Sequence, residues 1–491
     1  MGKLTEFLSG EKKGRYPKFG EACLLMVLVC AILIFFNLVI KTNTIVTLVM
    51  ALTVCAAFAA FWGNSWQTIE DMMLSGLSKG LLALFINVLI GMLIAAWCAG
   101  GTVPYIVYLG LKLIEPQFLL AATFIVCFIM SACTGSSWTT AGTVGIAMYG
   151  IGVAMGMPPG LIAGAVLAGS YGGDKLSIVS ETTNLAAATS ETKIMTHLNS
   201  MLYVSLPAAI ITLVVYVIVG WRYGSAGVVN DSAVTELIHG LEKSFWLNPI
   251  LLLPLVAMGY LVYKKTPPVL TMLVGIIMGS GLAMFQGHDF KTIAGSLING
   301  YNANSEIDSI NSMLSKGGVL EMTTVVFIII VGMSMGGILK DTKTLETIVF
   351  QFQKLINSRF AVITSSMFTV GTMAAVCGDT YASYILTSSA YATAHDRLQI
   401  DRKVLSRSCE LGVILSCLMI WTSGGQFMSN LFGISPAEYA PYYIWGYLIF
   451  IVNMFCAATG WGIFYTHGRR GWGKNKEIPP ILDMDPFSEK T

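Results

Sequence analysis

Between Glu115 and Asp174 the chain runs 58 residues without one charged side chain. An apolar helix needs roughly 20 residues to cross a bilayer, so this run alone is long enough for two or more passes. It is not isolated. Residues 22–40, 42–69, 80–111, 244–263, 266–288 and 322–339 are also free of charge, as are 360–378, 380–395, 411–437 and 439–468. The pattern predicts an all-α polytopic membrane protein with about 10–13 transmembrane segments. Composition agrees: 11% of the 491 residues are charged, against roughly 25% in an average soluble domain, and the mean hydropathy is +0.71.

The formal net charge of +2 gives no electrostatic argument for nucleic acid or a strongly acidic partner. Ten cysteines are scattered mostly singly through apolar runs, with no CxxC pair, and read as packing thiols. Residues 1–20 are polar and include Lys12, Lys13, Arg15 and Lys18. We read them as a cytoplasmic amino-terminal segment and not as a cleavable signal, because the apolar run that follows is long enough to span. Basic residues at Lys264–Lys265, around Arg397–Arg407 and at Arg469–Arg470 predict cytoplasmic loops, with 222–243 and 289–321 outside and both termini inside.

Self-similarity orders the rest. Lys112-Leu113-Ile114 and Phe118 recur as Lys354-Leu355-Ile356 and Phe360. At nearly the same offset Thr134-Gly135-Ser136 faces Cys377-Gly378-Asp379, and Ser180-Glu181-Thr182 falls near Thr422-Ser423-Gly424. Loop charge makes the first copy run outward where the second runs inward, so the repeats are inverted, with helices interrupted at matching places. The expected organisation is leading helices over 21–79, a first repeat over 80–222, connecting helices and outer loops over 223–321, a second repeat over 322–466 and a cytoplasmic tail over 467–491. The glycine-rich stretch Trp138–Pro158 suits a re-entrant hairpin, with a hairpin near 135–158, a broken helix near 172–184 and breaks near 377–383 and 421–430.

Charge returns inside the apolar regions as Asp174-Lys175, Glu181, Asp379 and Glu410. A carboxylate at membrane depth costs roughly 2.5–3.5 kcal/mol on insertion scales, so it is paired, protonated or bound to a cation. The oxygens around these acids are hard ligands suited to an alkali ion, and no nearby Cys or His cluster suggests zinc. We take Asp174, Glu181, Asp379 and Glu410 as candidate ion- and proton-binding groups, with Na+ held by Asp174, Glu181, Thr182 and Asn184. Thr134, Ser136, Ser137, Ser180, Thr183, Thr380, Thr422 and Ser423 are candidate polar ligands of ion or substrate. Lys175 and Arg407 are candidates for binding a carboxylate. Arg407 and Glu410 lie three residues apart, which places them on one helix face as a neutralised pair. His197 and His395 stand at segment edges and read as satisfied or solvated. A buried carboxylate that accepts either a proton or a sodium ion, and crosses only when loaded, turns alternation between two sides into exchange.

ThrGlySerSerTrp at Thr134–Trp138, the following ThrAlaGlyThrValGly and the run Gly173–Asn184 resemble the NhaC family of sodium/proton antiporters. The resemblance covers most of the chain and is densest from about Gly100 to Tyr203. It implies a fold like that of the ion-transporter superfamily, with a mobile transport domain on a scaffold that usually dimerises, in a bacterial inner membrane. It also implies Na+/H+ antiport with no cofactor beyond those ions. The chain departs from the family pattern at Glu181, where the family has aspartate, and at Val179, where it has proline. Glu410-Leu411 replaces a Glu-Asp pair and Trp421-Thr422 a Trp-Asn pair. Some relatives are similar to carriers that exchange malate for lactate or take up amino acids, so coupled transport of a small organic acid or amino acid is the alternative. An ion channel suits two non-identical halves with buried acids less well. No enzyme is expected: an intramembrane aspartyl protease needs glycine where Tyr171 stands.

Overall fold

The computed structural model describes residues 12–482 apart from 79, 226–230, 265, 354–356, 379 and 474–476. Asp379, Lys265, the repeat copy at 354–356, and the ends of the chain at 1–11 and 483–491 therefore lie outside the described residues.

The chain is helical almost throughout. In order come α1 (Phe19–Ile34), α2 (Thr44–Phe61), α3 (Trp66–Ser78), α4 (Leu81–Ala99), α5 (Thr102–Leu113) and α6 (Leu119–Thr134). Ser137–Thr140, a π turn at Ala141–Gly145 and Ile146–Ala154 make one arm, α7. There follow α8 (Pro159–Asp174), α9 (Glu181–Thr189), α10 (Ile194–Ser225), α11 (Asp231–Ser244), α12 (Leu253–Tyr263), α13 (Pro268–Phe285), α14 (Phe290–Asn299) and α15 (Asp308–Leu314). The rest is α16 (Val319–Asp341), α17 (Thr344–Gln353), α18 (Arg359–Cys377), α19 (Thr380–Arg397), α20 (Arg402–Gly412, continued as a 3-10 turn to Leu418), α21 (Ser423–Phe432), α22 (Pro436–Tyr439) and α23 (Ile444–Thr459). Among the described residues seven helices are long and apolar enough to cross a membrane, or up to eleven spans if each of four bent pairs counts as one. The outer helix around Phe19–Val39 is only 28% buried, whereas Val319–Asp341 is 72% buried and forms the centre of the molecule. Lipid is the solvent for the former.

Two matching hairpins organise this bundle. Leu119, Thr134, Ser137, Pro159 and Glu181 bound elements whose counterparts are bounded by Arg359, Cys377, Thr380, Arg402 and Ser423, each 240–243 residues later. In the first half Gly169 packs on Phe124 and Cys127, and Gly173 on Phe128 and Ala132, so α6 runs parallel to α8. Gly152 meets Ile162 and Gly145 meets Val166, so α7 runs antiparallel to α8. The chain therefore reverses between α6 and α7, at Gly135, whose φ of 65° lies in the left-handed region that favours glycine. The stretch Trp138–Pro158, read from its glycines as holding the hairpin's reversal, is instead one helical arm. Its glycines serve close approach: Gly142 lies against Ile94, Gly145 against Val166 and Gly152 against Ile162. The second half turns at Gly378 with φ 66°.

Each half-helix beyond a described break starts on a hydroxyl cap. Ser136 Oγ accepts from the Thr139 amide at 3.1 Å, Ser180 Oγ from the Thr183 amide at 3.3 Å, and Thr422 Oγ1 from the Gly425 amide at 3.1 Å. These bonds satisfy amide donors that lipid could not, which lets a helix begin inside a membrane protein.

Candidate functional site

The breaks converge on one cavity. Ser136 and Ser137 reach it from the α7 start, Asp174 and Lys175 from the α8 end, Glu181 and Thr182 from the α9 start, Thr380 from α19 and Ser423 from α21. Aromatic walls come from Trp138, Tyr171, Tyr381 and Tyr384; Trp138 is held flat against Phe427, with ring centroids 4.8 Å apart. Four helix amino ends face the same space, so its electrostatics combine the positive ends of helix dipoles with the acids at Asp174 and Glu181.

At the α8 break a charged cluster is fully enclosed. Lys175 Nζ lies 3.4 Å from Asp174 Oδ2 and 3.4 Å from Glu410 Oε1, and donates to Thr182 Oγ1 at 2.9 Å. Thr182 Oγ1 donates to Asp174 Oδ2 at 3.3 Å, while Thr183 Oγ1 donates to Glu410 Oε1 at 2.6 Å. The second oxygen of Glu410 meets His197 Nε2 at 2.5 Å, and His197 Nδ1 meets Ser406 Oγ at 2.6 Å. With Glu410 ionised, Nε2 donates and Nδ1 accepts from the serine hydroxyl. Asp174 Oδ1 is buried and has no hydrogen-bond partner. This cluster joins the two halves of the chain: Asp174, Lys175, Thr182 and Thr183 come from the first, Glu410 and Ser406 from the second.

The candidate residues divide accordingly. Ser136, Ser137, Asp174, Lys175, Glu181, Thr182, Thr380 and Ser423 line the cavity, and Glu410 with Thr183 sits directly behind it. Thr134 bonds Thr140 across the hairpin turn at 3.1 Å. Asn184 is exposed and spends its amide on the carbonyls of Ile178 and Ser180 at 3.0 and 2.7 Å, so it closes the break and does not line the cavity. Ser180 and Thr422 act as helix caps.

Two expectations change. Arg407 and Glu410 do not form a pair; Lys175 and His197 take Glu410 instead. Helix spacing put both on one side of α20, but the longer Arg407 side chain is drawn to Ser200 on α10 and to the Gly462 carbonyl, at 3.2 and 2.9 Å. Its Nε and Nη2 are buried with no hydrogen-bond partner, and it does not line the cavity. Of the two readings for the histidines, satisfied or solvated, the structure has the satisfied one: His197 is fully buried between Glu410 and Ser406, and His395 is buried too and bonds the Tyr391 carbonyl at 3.1 Å. Sequence reading also passed over Ser406, Trp138, Tyr171, Tyr381 and Tyr384. The one available signal was the density of Tyr, Ser and Thr in α19, unusual for a helix in an apolar region.

A family model described as the Na+/H+ antiporter family matches residues 170–461, which hold both halves of this cluster. The chain is 34% identical over 458 residues to a malate-2H+/Na+-lactate antiporter of Bacillus subtilis, covering 93% of this chain and 97% of that one. It is 30% identical to the arginine/ornithine antiporter ArcD of Halobacterium salinarum, covering 91% and 93%, and 28% identical to the Na+/H+ antiporter NhaC of Alkalihalophilus pseudofirmus, covering 90% and 96%. A chain whose buried acids Asp174 and Glu410 fall inside the matched region, and whose relatives align nearly end to end, belongs to the Na+/H+ antiporter family.

Proposed function

We propose that the protein exchanges Na+ for H+ by alternating access, and that the cluster around Asp174 is where the two compete. One observation carries this reading: Asp174 presents a buried, unpartnered carboxylate oxygen beside a cavity that Glu181 and Thr182 also line. A buried anionic oxygen without a partner is costly, and either a proton or a sodium ion removes the cost. Lys175 neutralises part of the charge of Asp174 and Glu410, so one added monovalent cation suffices. Glu181, Asp379 and Glu410 complete the set of acids in this reading, with the hydroxyls at the helix starts as neutral ligands. The same reading makes the carrier a homodimer in a bacterial cytoplasmic membrane with both termini inside.

The cavity supports a second reading. Its lining mixes hydroxyls and acids with aromatic rings, as small-molecule sites do. Its tyrosines and helix amino ends suit a carboxylate-bearing solute, and the 34% identical relative is named for malate and lactate. In this reading Na+ and H+ drive exchange of a small organic acid or amino acid.

Purified protein in proteoliposomes with an internal pH dye separates the two. Na+ added alone moves protons in the first reading, and Asp174→Asn abolishes the signal. Silence with every alkali cation until malate, lactate or an amino acid is supplied overturns the first reading and establishes the second.

A further inference from the structure

A second cavity lies beside the far end of the cluster, lined by Thr196, Asn199 and Ser200 of α10 and by Lys403 of α20; His197 and Ser406 lie near this lining in sequence and are themselves buried. Thr196 is the sequence neighbour of His197, and Lys403 lies one helical turn before Ser406. This second cavity also carries Arg470 and Trp461, so it opens on the basic face, whose charges the positive-inside tendency places in the cytoplasm.

We propose that Glu410, His197 and Ser406 form a proton path from this basic-face cavity to the transport site, separate from the route taken by the sodium ion or solute. The proposal rests on the exchange reading above and adds the way protons enter. From Ser406 inward the contacts are unbroken: Ser406 Oγ to His197 Nδ1 at 2.6 Å, His197 Nε2 to Glu410 Oε2 at 2.5 Å, and Glu410 Oε1 to both Thr183 and Lys175 at 2.6 and 3.4 Å. Every side chain from Ser406 to Lys175 is buried. Such a chain excludes sodium, which needs several oxygen ligands at once, but passes protons.

The transfer balances without a co-reactant. A proton from cavity water reaches Ser406 Oγ as the serine passes its own to His197 Nδ1. The imidazolium then releases its Nε2 proton to Glu410. Glu410 becomes neutral and His197 is left as the Nδ1–H tautomer. Imidazole is the side chain suited to this, since it donates and accepts through different atoms and changes charge near neutral pH. Lys175, Asp174 and Glu410 are the charged groups toward the transport site. Lys403 lies toward the cavity, and Arg407 is the neighbouring cation on α20, bonded to Ser200. Loss of negative charge at Glu410 loosens its hold on Lys175, which links proton arrival to the cation site.

The test compares wild type, His197→Gln and Ser406→Ala in proteoliposomes, reading proton flux from pH 6 to 9, its ratio in H2O and D2O, and Na+ protection against thermal unfolding. His197→Gln is expected to keep Na+ protection, lose tenfold or more of proton-coupled flux and flatten the pH profile. Ser406→Ala keeps the imidazole and its bond to Glu410 and is expected to slow proton flux severalfold with Na+ protection intact, so the path is testable even if His197→Gln does not fold. Wild-type flux and pH profile in Ser406→Ala or in folded His197→Gln overturn the path and leave the exchange reading standing. Absence of coupled proton movement in the wild type overturns both.

Discussion

Glu410 and His197, 213 residues apart in sequence, meet through Oε2 and Nε2 at 2.5 Å with neither side chain exposed. That contact ties α20 of the second half to α10 of the first. It also leaves Glu410 Oε1 free to face Thr183 and Lys175, so one carboxylate joins three elements.

Thr183 tests the neutral part of that junction. Thr183→Val keeps the shape and removes the hydroxyl that donates to Glu410 Oε1, leaving a buried acceptor with one bond fewer, at a cost of about 1–3 kcal/mol. Thermal unfolding in detergent is expected to show a lower midpoint for Thr183→Val and one near wild type for Thr183→Ser. Equal midpoints for all three would remove Thr183 from the account.

Lys175 is the cation shared by Asp174 and Glu410. Lys175→Met leaves two buried carboxylates without it, and breaking a buried ion pair from one side costs about 3–5 kcal/mol. The double variant Lys175→Met/Glu410→Gln removes one of the stranded charges and is expected to recover a large share of that loss. A double variant less stable than the single one contradicts the assigned pairing.

Glycine at the first turn is needed twice over, for its left-handed backbone and because a Cβ at Gly135 would lie 2.7 Å from the Val179 carbonyl carbon and the Ser180 amide nitrogen. Gly135→Ala is expected to abolish transport and lower stability by about 1–2 kcal/mol from the backbone alone, with the collision adding to it. Gly281→Ala, where the added methyl meets nothing within 4 Å, is the matched control and is expected to leave both unchanged.

Gly424 offers a way to tell ion from solute. A Cβ there stands 3.2 Å from the Tyr171 hydroxyl at the cavity wall, so Gly424→Val narrows the space without touching Asp174, Lys175 or Glu410. Counterflow of a radiolabelled organic acid is expected to fall tenfold or more, while Na+ protection against unfolding persists. Unchanged counterflow would place the solute elsewhere.

What could be read from sequence followed the range of the interaction. Ser136, Ser180 and Thr422 stand out in the sequence as hydroxyls at the expected breaks, and as caps each acts on its own next turn. Asp174 and Glu410 stood out because charge at membrane depth demands an explanation. The partner of Glu410 did not, since helix spacing reports a shared face and says nothing about where a side chain as long as Arg407 ends. His197 reads as satisfied or solvated from sequence, because nothing local distinguishes a solvated histidine from one that meets an acid 213 residues away. The five glycines of the Trp138–Pro158 stretch suit a re-entrant hairpin, yet four of them serve helix contact, and the turn falls to Gly135 just upstream.

Asp174 and Lys175 are neighbours, and that adjacency matters during synthesis. Thr183 emerges 227 residues ahead of Glu410, a delay of about 10–50 seconds at ~5–20 residues per second. For that interval the first half sits at the translocon with its charged break complete and its distant carboxylate unmade. An acid and a base side by side can neutralise each other while they wait, so the newborn half is not required to hold a lone charge in lipid until its counterpart arrives.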